Sequence, residues 1–340
     1  MRFLLFIVAL FTFSCSSSHK AILEKVNQRF DLPGSVEKVD KGIYWFHWLG
    51  KDVVLDRNMS INLLDIDLEK AAVKFDFAWF NNQPATLSEI ADTALAIVAV
   101  NSAYFEKLDD GGYVSFHKSK GKVDQYVEVP TTHTRFWKHQ AAFVQTGAKD
   151  FAFIQGNQRL YDSLHFDNII SSAPLLISDG VPVGKYFVTR KTGDKTDLES
   201  EHPDRHQAGL GPRMAYAKTA NNHLLLIAVD GRSPKSQGIN AEELTDLLWQ
   251  YLNATDAINM DGGGSVTMFV RGATPTGVVN YPSDQRKTDI NRFEHVGQRK
   301  NGAALLVIPT RPSTLKKMQQ LKVAKDSIAF DYHDPKNKRN

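Results

Sequence analysis

From residue 43 onward, hydrophobic and polar positions alternate in short blocks. Ile43-Tyr44-Trp45-Phe46 is aromatic and strand-like. Residues 60–68 read SINLLDIDL, with Ile61, Leu63 and Ile66 as inward positions, and Val73 to Phe77 alternates again. A period of two predicts half-buried strands. Ala96 to Val100 is continuously apolar, the pattern of a strand covered on both faces. Ser171 to Ile177 predicts another strand, with a hairpin turn at Asp179-Gly180. Arg213 to Thr219 and Leu224 to Val229 flank a turn at Asn221-Asn222 and predict a hairpin, and Ala303 to Ile308 predicts a closing strand.

Two helices announce themselves by their starts. Thr86 with Glu89, and Asn240 with Glu243, form capping boxes, in which the cap side chain and the third helical residue satisfy each other's backbone amides. After the second box, Leu244, Leu247, Leu248, Tyr251 and Leu252 fall on one helical face. Residues 106–165, with Gly111-Gly112, predict hairpins and a surface excursion. Residues 188–212 are dense in charge, Gly and Pro and predict a long loop, a candidate lid. No boundary interrupts 42–310. Strands and helices mix without regular strand–helix alternation, so the fold class is α+β: a mixed sheet with packed helices in a single domain.

The composition, 42% hydrophobic and 23% charged over 340 residues, supports a large core. The chain starts differently. Met1-Arg2, an apolar run from Phe3 to Phe13 and a serine-rich break predict a secretory signal, too short for a permanent membrane span. The sole cysteine, Cys15, stands at that break and resembles the acylated cysteine of a bacterial lipobox, with Thr12 where Leu is usual. That resemblance implies lipid attachment at Cys15 and an exported envelope lipoprotein, periplasmic or anchored in the outer membrane. It also leaves no disulfide. The expected division is a signal and lipid-attachment segment at 1–18, a short helix and linker at 19–41, the domain at 42–312 and a basic tail at 313–340. The tail's excess of basic residues exceeds the +3 of the whole chain, so the body carries no net positive charge, which argues against a nucleic-acid surface on it.

The chemistry concentrates in Asn259-Met260-Asp261-Gly262-Gly263-Gly264-Ser265, between the apolar pair Ala257-Ile258 and a strand-like run from Val266 to Val270. Three consecutive glycines are costly in backbone entropy and serve where φ is positive or something approaches closely. A following strand, and no Lys-Ser/Thr ending, exclude a Walker loop and a dinucleotide fingerprint. One cysteine and scattered histidines exclude a Cys-rich zinc site and a helical His pair. Asp230-Gly231-Arg232 ends another apolar strand. The intervening helix would place Asp230 and Asp261 at neighbouring strand ends. Two carboxylates on a shared cleft suit glycoside hydrolysis, and Arg213 and Arg232 supply forks for phosphate. A structural ion-pair cluster satisfies the same pattern.

Gly211 to Val270 resembles the phosphodiester glycosidase family: Pro212-Arg213, Val229-Asp230-Gly231-Arg232, the capped helix with Glu243, and Asn259 to Ser265 carry the likeness. Asn101-Ser102-Ala103-Tyr104-Phe105, Ala173-Pro174-Leu175-Leu176 and Arg299 to Val307 extend it. Ser102, Ala103 and Met214 depart from the usual residues. The resemblance implies hydrolysis of a sugar-1-phosphodiester at its glycosidic bond, N-acetylglucosamine being the family's sugar, with no cofactor or metal. It implies Asp261 and Asp230 as catalytic carboxylates. Asn101, Arg213, Arg232, Asn259, Gly262, Gly263, Gly264 and Ser265 are the implied substrate-binding residues. A metal-dependent phosphodiesterase holding its ion on Asp230 and Asp261, and a non-catalytic glycan-binding lipoprotein, remain as alternatives.

Overall fold

The computed structural model describes residues 18–80, 84–105, 113–126, 129–284, 289 and 291–320; Cys15, Gly111-Gly112 and the tail from 321 lie outside the described residues. A seven-stranded sheet runs in the order β1 (Ser35–Asp40), β2 (Ile43–Asp52), β3 (Arg57–Asp67), β13 (His223–Val229), β12 (Arg213–Thr219), β14 (Ala254–Asn259) and β11 (Leu175–Ile177). A four-stranded sheet orders β15 (Met268–Val270), β5 (Val98–Asn101), β16 (Ala303–Pro309) and β4 (Val73–Trp79). A five-stranded sheet orders β7 (Lys122–Gln125), β6 (His117–Ser119), β10 (Asn168–Ser172), β8 (Ala141–Gln145) and β9 (Phe151–Gln155).

The fold is α+β, but every neighbouring strand pair within these sheets is antiparallel, where mixed pairing was expected. The reason lies in the connections: hairpins such as β12–β13 carry much of the pairing and permit only antiparallel neighbours.

The large sheet is buried on both faces. Leu64, Ile66, Leu226 and Ile258 meet Phe77, Val100 and Leu305 of the four-stranded sheet and Phe143 of the five-stranded one. On the opposite face Ile61, Leu63, Leu225 and Ile227 meet α1 (Ser18–Asn27) and α5 (Ala241–Asp246) with its following turn Leu247–Tyr251. Ile66 therefore points away from Ile61 and Leu63, and the alternation in SINLLDIDL is between two cores rather than between core and water. Each such Leu or Ile taken from water contributes roughly 1.5–3 kcal/mol.

Both capping boxes form, at α2 (Leu87–Thr93) and at α5. Asp179 and Gly180 both take positive φ (49° and 78°), as a two-residue hairpin turn needs. The stretch expected as linker belongs to the fold: α1 buries Val26, and β1 pairs with β2 as the sheet's edge. Helix 312–320, which buries Met318, closes the described chain. Among the described residues no helix is long and apolar enough to cross a membrane.

Candidate active site

Sheet order positions the site. β13 and β14 are not neighbours, as had been expected; β12 lies between them, antiparallel to both. Where β13 and β14 end, β12 begins, so Arg213 stands at the edge between Asp230 and Asp261. The ladder continues past the strands: the Met260 amide donates to the Met214 carbonyl (2.8 Å) and the Gly263 amide to the Pro212 carbonyl (2.9 Å).

A cleft of about 400 Å³ opens at this edge. Its floor is Arg213 with Asp261-Gly262-Gly263-Gly264, and Arg232 and Arg299 stand around it. Its other wall is Ser200, Glu201, His206 and Gly209 to Pro212. Gly263 takes φ +59°, and a Cβ at Gly264 would overlap the Asp284 carboxylate and the Arg299 guanidinium. The glycine run thus serves both uses expected of it. It does not lead straight into a strand, though: Gly263–Ser265 is a short 3-10 turn, and β15 starts only at Met268. That turn consumes the Ser265 and Val266 amides. Among the described residues, the Gly262 and Gly264 amides have no acceptor within the protein.

Arginines dominate the electrostatics. Arg213 is 4% exposed, and its guanidinium donates to the carbonyls of His206 (2.9 Å), Gly209 (3.0 Å) and Ile239 (3.3 Å) and to Gln207 Oε1 (3.0 Å). All four acceptors are neutral, so its charge is left for the cleft. Burial lowers its pKa from the ordinary value; Tyr104 opposes this and Arg232 adds to it. Arg232 is exposed and sits at φ +61°, an uncommon backbone conformation for a side-chain-bearing residue. Arg299 holds Asp284 through two bonds (2.8 and 3.1 Å) and reaches Ser265 Oγ at 3.4 Å. On the opposite wall the fully buried Lys138 pairs with Glu201 at 2.6 Å. Burial works to raise the Glu201 pKa, but Lys138 and Arg135 overcome it and hold it below the ordinary value. His206 is pushed down to about 2, by burial first and then by Arg213, Lys138 and Arg232.

Several expected site residues sit behind the cleft rather than in it. Asp230 is 1% exposed and does not line it. Its carboxylate accepts from Ser60 Oγ (2.7 Å), Asn280 Nδ2 (3.0 Å) and the Tyr281 amide (2.9 Å). The shared hollow for two aspartates is therefore corrected: intervening β12 and these donors turn Asp230 away from Asp261. Asn101 spends both ends of its amide on the loop backbone, donating to the Asp261 carbonyl (2.8 Å) and accepting from the Thr267 amide (3.0 Å). Asn259 donates to the Tyr104 hydroxyl (3.0 Å) and the Ala173 carbonyl (2.8 Å). Ser265 is buried under Arg299. Arg213, Arg232, Asp261 and Gly262 to Gly264 do come together. Among the described residues no group of three or more His, Cys, Asp or Glu is placed to hold a metal.

A family model described as phosphodiester glycosidase matches residues 94–293, more than half of the chain and all but Arg299 of the cleft lining. The chain belongs to the phosphodiester glycosidase family. It is a hydrolase of that class. Over 75 residues this glycosidase is 35% identical to the Bos taurus N-acetylglucosamine-1-phosphodiester alpha-N-acetylglucosaminidase; the stretch is 22% of this chain and 13% of the bovine protein's length. Two solved structures share the fold. The zebrafish N-acetylglucosamine-1-phosphodiester alpha-N-acetylglucosaminidase catalytic domain, described as auto-inhibited by its pro-peptide, superposes with a TM-score of 0.59 at 20% identity, over 86% of this chain and 94% of that one. A hypothetical protein from Synechocystis superposes with a TM-score of 0.51 at 14% identity, over 81% and 64%.

Residues 188–212, expected as a loop and candidate lid, are instead tied down as the cleft wall. Asp204 in α4 (Pro203–Ala208) accepts from the Thr189 amide (2.7 Å), the Thr189 hydroxyl (2.8 Å) and the Arg190 amide (3.0 Å). Glu201, His206 and Lys138 escaped the sequence reading because no periodicity marks their segments. Arg299 was visible only as the entry to the closing strand.

Proposed function

We propose that the glycosidase cleft hydrolyses a sugar-1-phosphodiester between the anomeric carbon and the bridging oxygen, with N-acetylglucosamine-1-phosphodiester as the substrate class. The observation that supports this reading is that Asp261 lines a cleft together with Arg213, Arg232, Arg299 and the glycine run. Arg232 and Arg299, with the Gly262 and Gly264 amides, would hold the phosphate oxygens. Arg213, with four of its five N–H donors engaged by neutral acceptors, acts as a fixed buried charge. Asp261 would face the sugar, stabilising the oxocarbenium-like centre or directing the water that attacks it. The water oxygen bonds to the anomeric carbon and gives up a proton to Asp261 and then to solvent, the C–O bond breaks, and the phosphate monoester departs as an anion with the bridging oxygen.

The cleft's proton inventory supports that choice. Among the described lining residues, Glu201 is held ionised and His206 is held neutral with a very low pKa, so neither is poised to protonate a leaving group near pH 7. An ordinary glycosidase needs such an acid. A phosphate monoester, whose second pKa is roughly 6, leaves as a stable anion and does not. Asp230, Asn101 and Asn259 serve as positioning residues for the loop. The leader pattern with Cys15 supports an exported, lipid-anchored protein of the cell envelope.

Asp261→Asn tests the assignment. The variant folds as the parent does and loses at least about 10²-fold in kcat on a sugar phosphodiester, the scale of one lost catalytic polar group. Turnover close to the parent's removes Asp261 from the mechanism.

A further inference from the structure

A second cleft, about 750 Å³ in volume, opens at the other end of β13. His223, the first residue of that strand, lies in it, whereas Arg232, just beyond the strand's other end, lines the catalytic cleft. Seven residues of strand separate the two mouths by roughly 23 Å. They share no lining residue.

The walls of this second cleft divide by chemistry. Ile22, Leu225 and Leu252 give an apolar side, while Lys25, Lys38, Lys41 and Lys70 stand around it as a basic rim. The turn between β1 and β2 brings part of that rim together. Gly42 takes φ +74°, and a Cβ there would lie 2.8 Å from the Ala71 amide nitrogen and 2.9 Å from Lys70 Cβ. Glycine lets the turn that carries Lys41 close against Lys70.

Asp65 and Asp67 on this side are already partnered. His223 Nδ1 meets Asp65 Oδ1 at 2.5 Å, its Nε2 lies 3.7 Å from Asp67, and Lys70 holds Asp67 at 2.6 Å. The hydrogen bond to Asp65 is the main cause of a raised His223 pKa. Lys38 and Lys41 are exposed, and four lysines face only Asp67 and Glu69 among the lining carboxylates. A basic rim beside an apolar wall suits an anion carried on a partly apolar body. The wall formed by Ile22 and Lys25 is α1, which starts three residues after Cys15.

We propose that this lysine-rimmed cleft is a second anion site, separate from the catalytic one, that takes a glycerophosphate group. The group would be borne either by a phospholipid headgroup or by a free glycerol phosphate. The proposal is independent of the chemistry assigned to Asp261, since the two clefts have no residue in common.

The test compares the full chain with the variant Lys38→Gln/Lys41→Gln/Lys70→Gln in two arms. One is calorimetry with glycerol 1-phosphate. The other is flotation with vesicles of phosphatidylcholine, with and without phosphatidylglycerol, read as enrichment on the anionic vesicles so that any anchor contribution cancels. The expected result is binding or enrichment that the variant weakens by at least about tenfold, with turnover unchanged. A response confined to vesicles assigns the headgroup, and one confined to calorimetry assigns the soluble ester. No response in either arm, or a response the variant retains, overturns the site.

Discussion

Asn101 holds Asp261 from behind: its Nδ2 donates to the Asp261 carbonyl at 2.8 Å while its Oδ1 accepts from the Thr267 amide at 3.0 Å. One buried side chain at the end of β5 thus bridges both arms of the glycine loop. Asp261 lines the cleft, and its backbone is fixed to a strand of a different sheet.

Removing that clamp should cost both stability and rate. Asn101→Ala leaves a buried carbonyl and a buried amide unpaired, each worth about 1–3 kcal/mol. The expected outcome is a loss of about 3 kcal/mol in urea unfolding. A kcat at least about tenfold lower should accompany it under conditions where the variant is still folded, since a small displacement of a reacting group is expensive. Unchanged turnover would mean that the loop holds its shape without Asn101.

Arg232 should show the opposite balance. A residue other than glycine at φ +61° carries roughly 1 kcal/mol of backbone strain that glycine does not. Strain of this kind collects at functional positions. Arg232→Gly is expected to be at least as stable as the parent in thermal unfolding and to lose at least about tenfold in kcat/KM, because a phosphate-binding fork has gone. A variant that is destabilised yet fully active would place Arg232 outside the binding site.

These residues also mark how far the sequence could be read. Local rules travelled well: Asn240 with Glu243, Asp179-Gly180 and the glycine run each behave as their immediate neighbours dictate. The phosphodiester glycosidase motifs gather at one edge of the seven-stranded sheet, where the cleft opens. Sheet order did not follow from local pattern, because whether β12 sits between β13 and β14 is a long-range pairing. Asp230 and Asp261 look alike in sequence, each an Asp-Gly after an apolar strand. They differ in their distant surroundings: Ser60 and Asn280 donate to the first, whereas the second lines the cleft.

Stability should fall on mild acidification. His206 sits at about 2 through burial and then its cationic neighbours, His47 at about 4 through burial and then His295, and His139 at about 4 through burial. In the unfolded chain a histidine titrates near 6.5. Below that pH the unfolded state binds protons that the folded state refuses, so stability drops as pH falls from about 6.5. At pH 5 each such histidine withholds about 2 kcal/mol. His223 runs the other way: its raised pKa gives stability that is present below 6.5 and lost as pH rises through the folded value, which offsets part of the loss. The urea midpoint at pH 5 should lie clearly below that at pH 7, and His139→Gln should narrow the gap. Equal midpoints would contradict the neutral, buried state of these rings.

The most direct measurement is the fate of solvent oxygen when a sugar-1-phosphodiester is hydrolysed in oxygen-18 water. Attack at the anomeric carbon, as Asp261 and the arginine-lined cleft are arranged to promote, puts the heavy oxygen in the sugar and none in the phosphate. Heavy oxygen in the phosphate monoester would mean that the P–O bond breaks, and would contradict the account.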